Sequence, residues 1–482
     1  MSLSWTRLSA EEFADSDFRT WVTANGVRST VKLRVVALQG SVAKLQREDG
    51  GIVELQLSRL SGEDLQYLRN LKRAGSTPVA ALNSTTADGK EWPRWRGPEN
   101  NGISAETGLL QKWPEDGPPL SWSASGIGEG FSSVVVWNER IYTLGKRGGA
   151  TELICLSTTD GAEQWATAIG GGEAPNCTPT VDPQSKLVFG ITHQGDLLCA
   201  DAVTGAEKWR RNFARDFGGR MMSGWGYSES PLVDGELLIC TPGSDEAVMA
   251  GLKKDTGEIV WKTPMPAGSA GYASPVVSQA GGIKQYVTLV GRGLIGVAAD
   301  DGRLLWQYDR IANSTANVPT PIVHGDLVFG SSGYGDGGSA LLRLHRDGNG
   351  IRAEEVYYLK NNQLQNHHGG MVRVGDLIYT GHGHNQGFPV CFDLKKGEPV
   401  WGPQRGPGSG SAAVLVADGK LYFRYQNGIM ALLNASPNGY QVDGTFRVKS
   451  NNKEGWAHPV IADKKLYLRD QSELHCYDVA RP

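Results

Sequence analysis

The sequence predicts an all-β protein, an eight-bladed β-propeller preceded by a small β-barrel domain. Three observations carry that prediction. A Gly-x-x-x-Trp pattern recurs roughly every 45 residues, the period of a four-stranded propeller blade. Short apolar runs of strand length fill the intervals between its copies. Residues 9–72 lack the pattern and carry hairpin turns instead.

In the small domain, Ser9-Ala-Glu-Glu12 reads as a capping box that opens a short helix. Strand-like runs follow at Val31–Leu38, Ser41–Gln46 and Ile52–Leu57. Asn25-Gly26, Gln39-Gly40 and Asp49-Gly50-Gly51 supply the turns, because Asn and Gly tolerate positive φ. Leu60–Leu68 closes the domain as a helical turn capped by Ser61. Residues 73–90 are small and polar and read as a flexible linker.

The propeller is expected over 92–482. Gly-x-x-x-Trp occurs at Gly161–Trp165, Gly205–Trp209, Gly257–Trp261, Gly302–Trp306 and Gly397–Trp401. Successive Trp spacings are 44, 52, 45 and 95, and Tyr357 fills the position missing from the last gap. First strands are expected near Ser133, Thr178, Ser230, Ser274, Thr320, Gly370, Ala412 and His458, several of them marked by Ser/Thr-Pro. The eighth unit ends without its fourth strand. Residues 120–124 are expected to supply it, closing the ring and leaving no free blade edge. The Trp series is read as structural, each ring lying against a neighbouring turn.

Composition sets limits on partners. The net charge is −3, with 48 basic and 51 acidic side chains, so no nucleic-acid footprint is expected. No apolar run is long enough for a membrane helix, and no signal peptide is visible at Met1–Ala10. The six cysteines form no Cys-x-x-Cys pair and read as buried apolar residues. The chain is expected to be a monomer.

Two resemblances follow from these motifs. Arg19-Thr-Trp21, the Gly26 turn, Val42-x-Lys44-Leu45, Asp49-Gly50 and Leu60-Ser61 with Asp64 and Tyr67 resemble the Sla-homology domain 1 family, which implies an SH3-like barrel. The repeat resembles the pyrroloquinoline-quinone (PQQ)-type propeller repeat. The segment Trp92-Pro-Arg-Trp-Arg-Gly97 with Asn101-Gly102, together with His367-His-Gly-Gly370, Gly381-His-Gly-His384 and Trp456-Ala-His458, is similar to PQQ-like proteins of planctomycete-type bacteria. That resemblance implies the periplasm or cell envelope, with the cytoplasm as the alternative. The family's dehydrogenases carry two adjacent cysteines that stack on the quinone. This chain has no Cys-Cys pair, so PQQ is not expected.

Candidate site residues lie where first strands begin, since those positions line a propeller's funnel. They include Phe131, Asn176, Tyr227, Glu229, Tyr272, Asn317, His367, His368, Ser411, Trp456 and His458. His367, His368, His382 and His384 crowd into one blade and are the candidate transition-metal ligands, His382 and His384 being expected on one strand face. An organic-ligand site and simple hydrogen bonding to loop carbonyls are the other readings of the same histidines. A second cluster, Arg220, Trp225, Tyr227 and Glu229 with Arg405 and Arg424, suits an anionic or sugar-like ligand. Gly333–Gly338 offers one carboxylate and reads as a hairpin tip.

The function expected is a non-catalytic binding or scaffold propeller that docks a protein, a small molecule or a carbohydrate at its funnel face. The alternative is a quinoprotein-like oxidoreductase or a metal-assisted enzyme around the histidines.

Overall fold

The computed structural model describes residues 11–12, 19–23, 25–39, 42–61, 64–65, 68, 89–448 and 454–482. The chain divides into two compact units, 1–81 and 82–482. Tyr67 and most of the expected linker lie outside the described residues.

In the first unit, strands Leu33–Gln39, Val42–Arg47 and Ile52–Gln56 form an antiparallel meander, followed by a 3₁₀ turn at Leu57–Arg59. Alternation buries Ala43 and Leu45 on one face. They pack with Trp21, Leu33, Val35, Leu60 and Leu68, and the Trp21 indole N–H donates to the Leu33 carbonyl at 2.8 Å. Ser61 Oγ accepts from the Asp64 N–H, the cap expected of it. Buried Asp64 pairs with Arg19 at 2.9 Å. The expected helix at Ser9–Glu12 is corrected: Glu11 and Glu12 pair antiparallel with Leu38 and Ala37. The open edge of a formed strand offers two ready ladder partners, which outweigh a short-range capping preference.

The second unit is built of repeated small antiparallel sheets in a propeller-like arrangement. There are eight such sheets among the described residues, numbered here 1–8 in the order of their first strands. Those first strands are Val135–Trp137, Thr180–Asp182, Leu232–Asp234, Val276–Ser278, Ile322–His324, Met371–Val374, Ala412–Ala417 and Val460–Ala462. Leu120–Ser125 supplies the outer strand of sheet 8 by pairing with Glu473–Asp478, which joins the two ends of the unit.

The Ser/Thr-Pro positions have a physical role. The Ser133 N–H donates to Thr178 Oγ1, the Thr178 N–H to Ser230 Oγ, and the Ser230 N–H to Ser274 Oγ, at 2.9–3.2 Å. Ser133 Oγ in turn donates to the His458 carbonyl at 2.7 Å. A relay of hydroxyls thus ties the start of sheet 8 through sheets 1, 2 and 3 to sheet 4.

At the outer edge, several outer-strand aromatics lie on the glycine turn of the next sheet, while the Trp306 indole N–H donates instead to Gln285 Oε1 within its own sheet. Trp122 lies against Gly161, Trp165 against Gly205, Trp209 against Gly257, Trp261 against Gly302 and Tyr357 against Gly397. The indole N–H of Trp122 donates to the Thr158 carbonyl and that of Trp209 to the Lys254 carbonyl, three residues before the respective glycines. Tyr357 Oη donates to the equivalent Leu394 carbonyl, so tyrosine reproduces both the ring contact and the polar bond. Tyr142 Oη donates to the Ala202 carbonyl at the same position of sheet 2, and the Trp165 indole N–H has no partner among the described residues.

Residues 92–104 cross the start of nearly every sheet. Trp92 pairs with Val136, and the Pro93 carbonyl accepts from the Val181 N–H. Arg94 donates to the Val233 carbonyl and the Trp95 indole to Thr320 Oγ1. Arg96 donates to the Met371 carbonyl. Ile103–Ser104 then runs parallel to Val416 and Ala417, and Ser104 Oγ donates to the Ile461 carbonyl. Seven of the eight sheets are touched by this one segment, which acts as a plug across their first strands.

Gly302 has φ +74°, and a methyl group there would lie 2.4 Å from the Trp261 ring. Gly302→Ala is therefore expected to cost about 2–4 kcal/mol, steric overlap adding to backbone strain. Gly348 has φ +55° with open space around it, so Gly348→Ala is expected to cost only about 1 kcal/mol. Urea unfolding midpoints of the two variants separate docking from strain.

Candidate functional site

The plug turns the space inside the first strands into a blind cavity of about 870 Å³. Every sheet contributes to its wall, mostly through the residues just before the first strand. Phe131 comes from sheet 1, Asn176 from sheet 2, Trp225 from the loop into sheet 3, and Tyr272 from sheet 4. Thr320 comes from sheet 5, His367 and His368 from sheet 6, Gln426 from sheet 7, and Trp456 and His458 from sheet 8. Trp95 and Arg96 of the plug complete the lining.

One side of the cavity is a continuous aromatic and imidazole stack. His367 and His368 stack at 3.6 Å between ring centres, and His384 lies 4.3 Å from His367. Tyr334 packs edge-on against His367 and His384, and its hydroxyl meets His368 Nε2 at 3.0 Å. Trp456 sits between His368 at 4.8 Å and Phe131 at 4.6 Å. Trp95 lies 4.5 Å from His458, whose Nε2–H donates to the His368 carbonyl at 3.2 Å.

His367, His368 and His458 are neutral. Burial, reinforced by the neighbouring histidines, lowers His367 to about 2 and His368 to about 3. Burial and the nearby Arg96 lower His458 to about 3. Stability from neutral burial is present above the unfolded value near 6.5 and is lost as pH falls toward these lowered values. The NMR ring-proton signals of His367, His368 and His458 are expected not to titrate between pH 8 and 5.

The four candidate metal ligands are not all brought together in the structure. His382 ends its strand inside sheet 6, where its Nδ1 accepts from the Gln365 N–H. Gly383 follows with φ +94°, which breaks the strand alternation, so His384 leaves for the cavity while His382 stays buried. His367 Nδ1 is bonded to Ser411 Oγ at 2.5 Å. His367 and His368 stack face to face, and His384 lies tilted against His367. Among the described residues no group of three or more His, Cys, Asp or Glu side chains is arranged to hold a metal ion.

Of the second cluster, only Trp225 reaches the cavity, with 58% of its surface exposed at the mouth. Its loop is pinned by Ser223 Oγ, which bonds the Tyr272 hydroxyl and the Thr315 carbonyl. Arg220 pairs with Asp245 outside, and exposed Arg405 does not line the cavity. Tyr227 is buried, its hydroxyl on the Pro242 carbonyl, and Arg424 is buried with one bond to the Ala457 carbonyl. Asn317 and Ser411 are likewise buried behind the wall. Glu229 is buried behind its sheet, accepting from the Thr241 N–H at 2.6 Å and from its hydroxyl. Burial pushes that carboxyl up to about 7.

A carboxyl raised from 4.5 to about 7 contributes its full stability only below 4.5 and loses it as pH rises through 7. Glu229→Gln keeps both bonds, because the Thr241 hydroxyl can accept from the new amide. The variant is expected to gain about 2–3 kcal/mol over the wild type at pH 8 and little at pH 5, read by urea unfolding at both pH values.

The plug residues Trp95 and Arg96 and the hairpin residue Tyr334 were not singled out from the sequence. The plug showed only as a resemblance at Trp92–Gly102, and Tyr334 as part of a glycine-rich tip. The cavity does not fit PQQ. All six cysteines are buried and none lines it, and among the described residues its carboxylates are Glu173 and Glu454, both exposed.

Residues 149–403 match the family model described as "Outer membrane protein assembly factor BamB". Among solved structures the chain is similar to BamB from Moraxella catarrhalis, at 16% identity and TM-score 0.52 over 74% of this chain and 96% of that one. It is similar also to quinohemoprotein alcohol dehydrogenase from Comamonas testosteroni, at 13% identity and TM-score 0.56 over 85% and 84%. A third likeness is to Sqt1 from Saccharomyces cerevisiae, at 10% identity and TM-score 0.53 over 75% and 99%. At these identities the likeness is one of fold. No curated protein sequence matches the chain.

Proposed function

Because the chain belongs to the outer membrane protein assembly factor BamB family, we propose that it is a non-catalytic binding protein of the bacterial cell envelope. Its second unit is read as an eight-bladed propeller over 92–482, closed by strand 120–124, and its first as a small SH3-like module. The propeller binds a small ligand in its central cavity and acts as a monomer.

One observation carries this reading. A cavity with several aromatic faces is built from all eight sheets, and His367, His368 and His458 are held neutral by burial rather than set as acids or bases. Aromatic faces with a few fixed polar groups suit reversible binding. The exposed Trp225 at the mouth supplies a further stacking surface.

The test is a thermal-shift panel of neutral and acidic mono- and oligosaccharides and short peptides at millimolar concentration. At least one class is expected to raise the melting temperature of the wild type by about 3 °C or more. That effect should vanish in Trp456→Ala. A panel with no effect, together with no small molecule released on denaturing the purified protein, overturns the reading.

A further inference from the structure

One arc of the cavity mouth, running from sheet 8 through sheets 1 and 2 to the loop into sheet 3, places carboxylates beside open aromatic faces. Trp456 lies 4.6 Å from Phe131, and both are half-buried lining residues. The Phe131 N–H donates to the Pro175 carbonyl at 2.9 Å, and the Asn176 side-chain amide donates to the Trp225 carbonyl at 2.8 Å. Gly226 lies on the His193 ring, where a methyl group would approach to 2.3 Å. The Trp225 backbone is thus held while its ring stays exposed. Glu173 stands three residues before Asn176, and Glu454 two before Trp456. Both carboxylates line the cavity and both are exposed.

Little accessible positive charge stands against these carboxylates. Glu173 meets Lys146 at 3.5 Å, in a pair whose carboxylate side is 73% exposed and which water and salt weaken. Arg96 is the one arginine or lysine among the described lining residues, and it is buried on the plug with Nε and Nη1 shut away from solvent. Burial keeps His367, His368 and His458 neutral and lowers His193 as well. A ligand on this arc therefore meets aromatic faces and negative charge. The face of an aromatic ring attracts a cation, and a neighbouring carboxylate adds to that attraction. An anion is repelled by the same two carboxylates, and an uncharged ring gains no charge attraction from them.

We propose that the mouth of the cavity takes a small organic ammonium ion, seated on the faces of Trp225, Phe131 and Trp456 with Glu173 and Glu454 balancing its charge. The proposal rests on the binding reading above and adds the charge of the ligand.

The matched probes are choline and 3,3-dimethylbutan-1-ol, which differ only in a quaternary nitrogen against a quaternary carbon. Binding is followed by isothermal titration calorimetry at pH 7 and fixed ionic strength. In the wild type, choline is expected to bind about tenfold tighter than the alcohol, and tetramethylammonium to compete with it. In the double variant Glu173→Gln/Glu454→Gln the ratio is expected to fall to about three or less. Trp225→Ala, at an exposed position, is expected to weaken choline about fivefold while leaving the melting temperature within about 1 °C of the wild type. The wild-type comparison needs no variant, so a misfolded variant does not remove the test. Equal binding of both probes by the wild type overturns the cationic ligand and leaves the binding reading standing. A preference that survives unchanged in the folded double variant overturns the role of the carboxylates, and unchanged choline binding by Trp225→Ala overturns that of the tryptophan. No response to choline or tetramethylammonium overturns the proposal, and the saccharide and peptide panel then decides the binding reading on its own.

Discussion

The contact between an aromatic ring and a glycine turn fixes the larger unit. A four-stranded sheet of this size cannot bury both faces alone, so each must pack on its neighbours. Trp261 can lie flat on the turn at Gly302 only because that turn has no side chain and holds a positive φ. The same contact recurs from Trp122 onward, and Tyr357 continues it where tryptophan is absent. Once the outer edges are spaced this way, the first strands must converge, and the hydroxyl relay from Ser133 to Ser274 stitches their starting points together.

Convergence leaves a central space, and the plug decides what that space becomes. Residues 92–104 spend their polar groups on the first strands, from Val136 through Met371 to Ile461. A through-channel becomes a cavity with a floor, and Trp95 and Arg96 stand on that floor. His367 and His368 stack on one another, which fixes the wall's shape, and burial holds them neutral. A single segment thus joins closure of the fold to the chemistry of the site.

The repeat and its closing strand were legible in the sequence because their determinants are local. Glycine in a tight turn, proline after a hydroxyl residue and four apolar runs per unit each leave a mark at fixed spacing. The site was legible only in part. Phe131, Asn176, Tyr272, His367, His368, Trp456 and His458 follow from the rule that strand starts line the funnel. Glu229 obeys the same local pattern yet turns into the protein, because Thr241 offers bonds there. His382 and His384 sit two apart, but the intervening glycine breaks the alternation on which a shared face depends.

By itself, the sequence determined the all-β class, the repeat, the aromatic docking positions and the absence of a quinone-stacking cysteine pair. These rest on interactions within one or two repeats. The tertiary structure alone decided which side chains meet across the ring, that residues 92–104 cross it, and that Arg96 stands buried against the Met371 carbonyl. Arg96 and Met371 are 275 positions apart in the chain, and only closure of the whole unit brings them into contact.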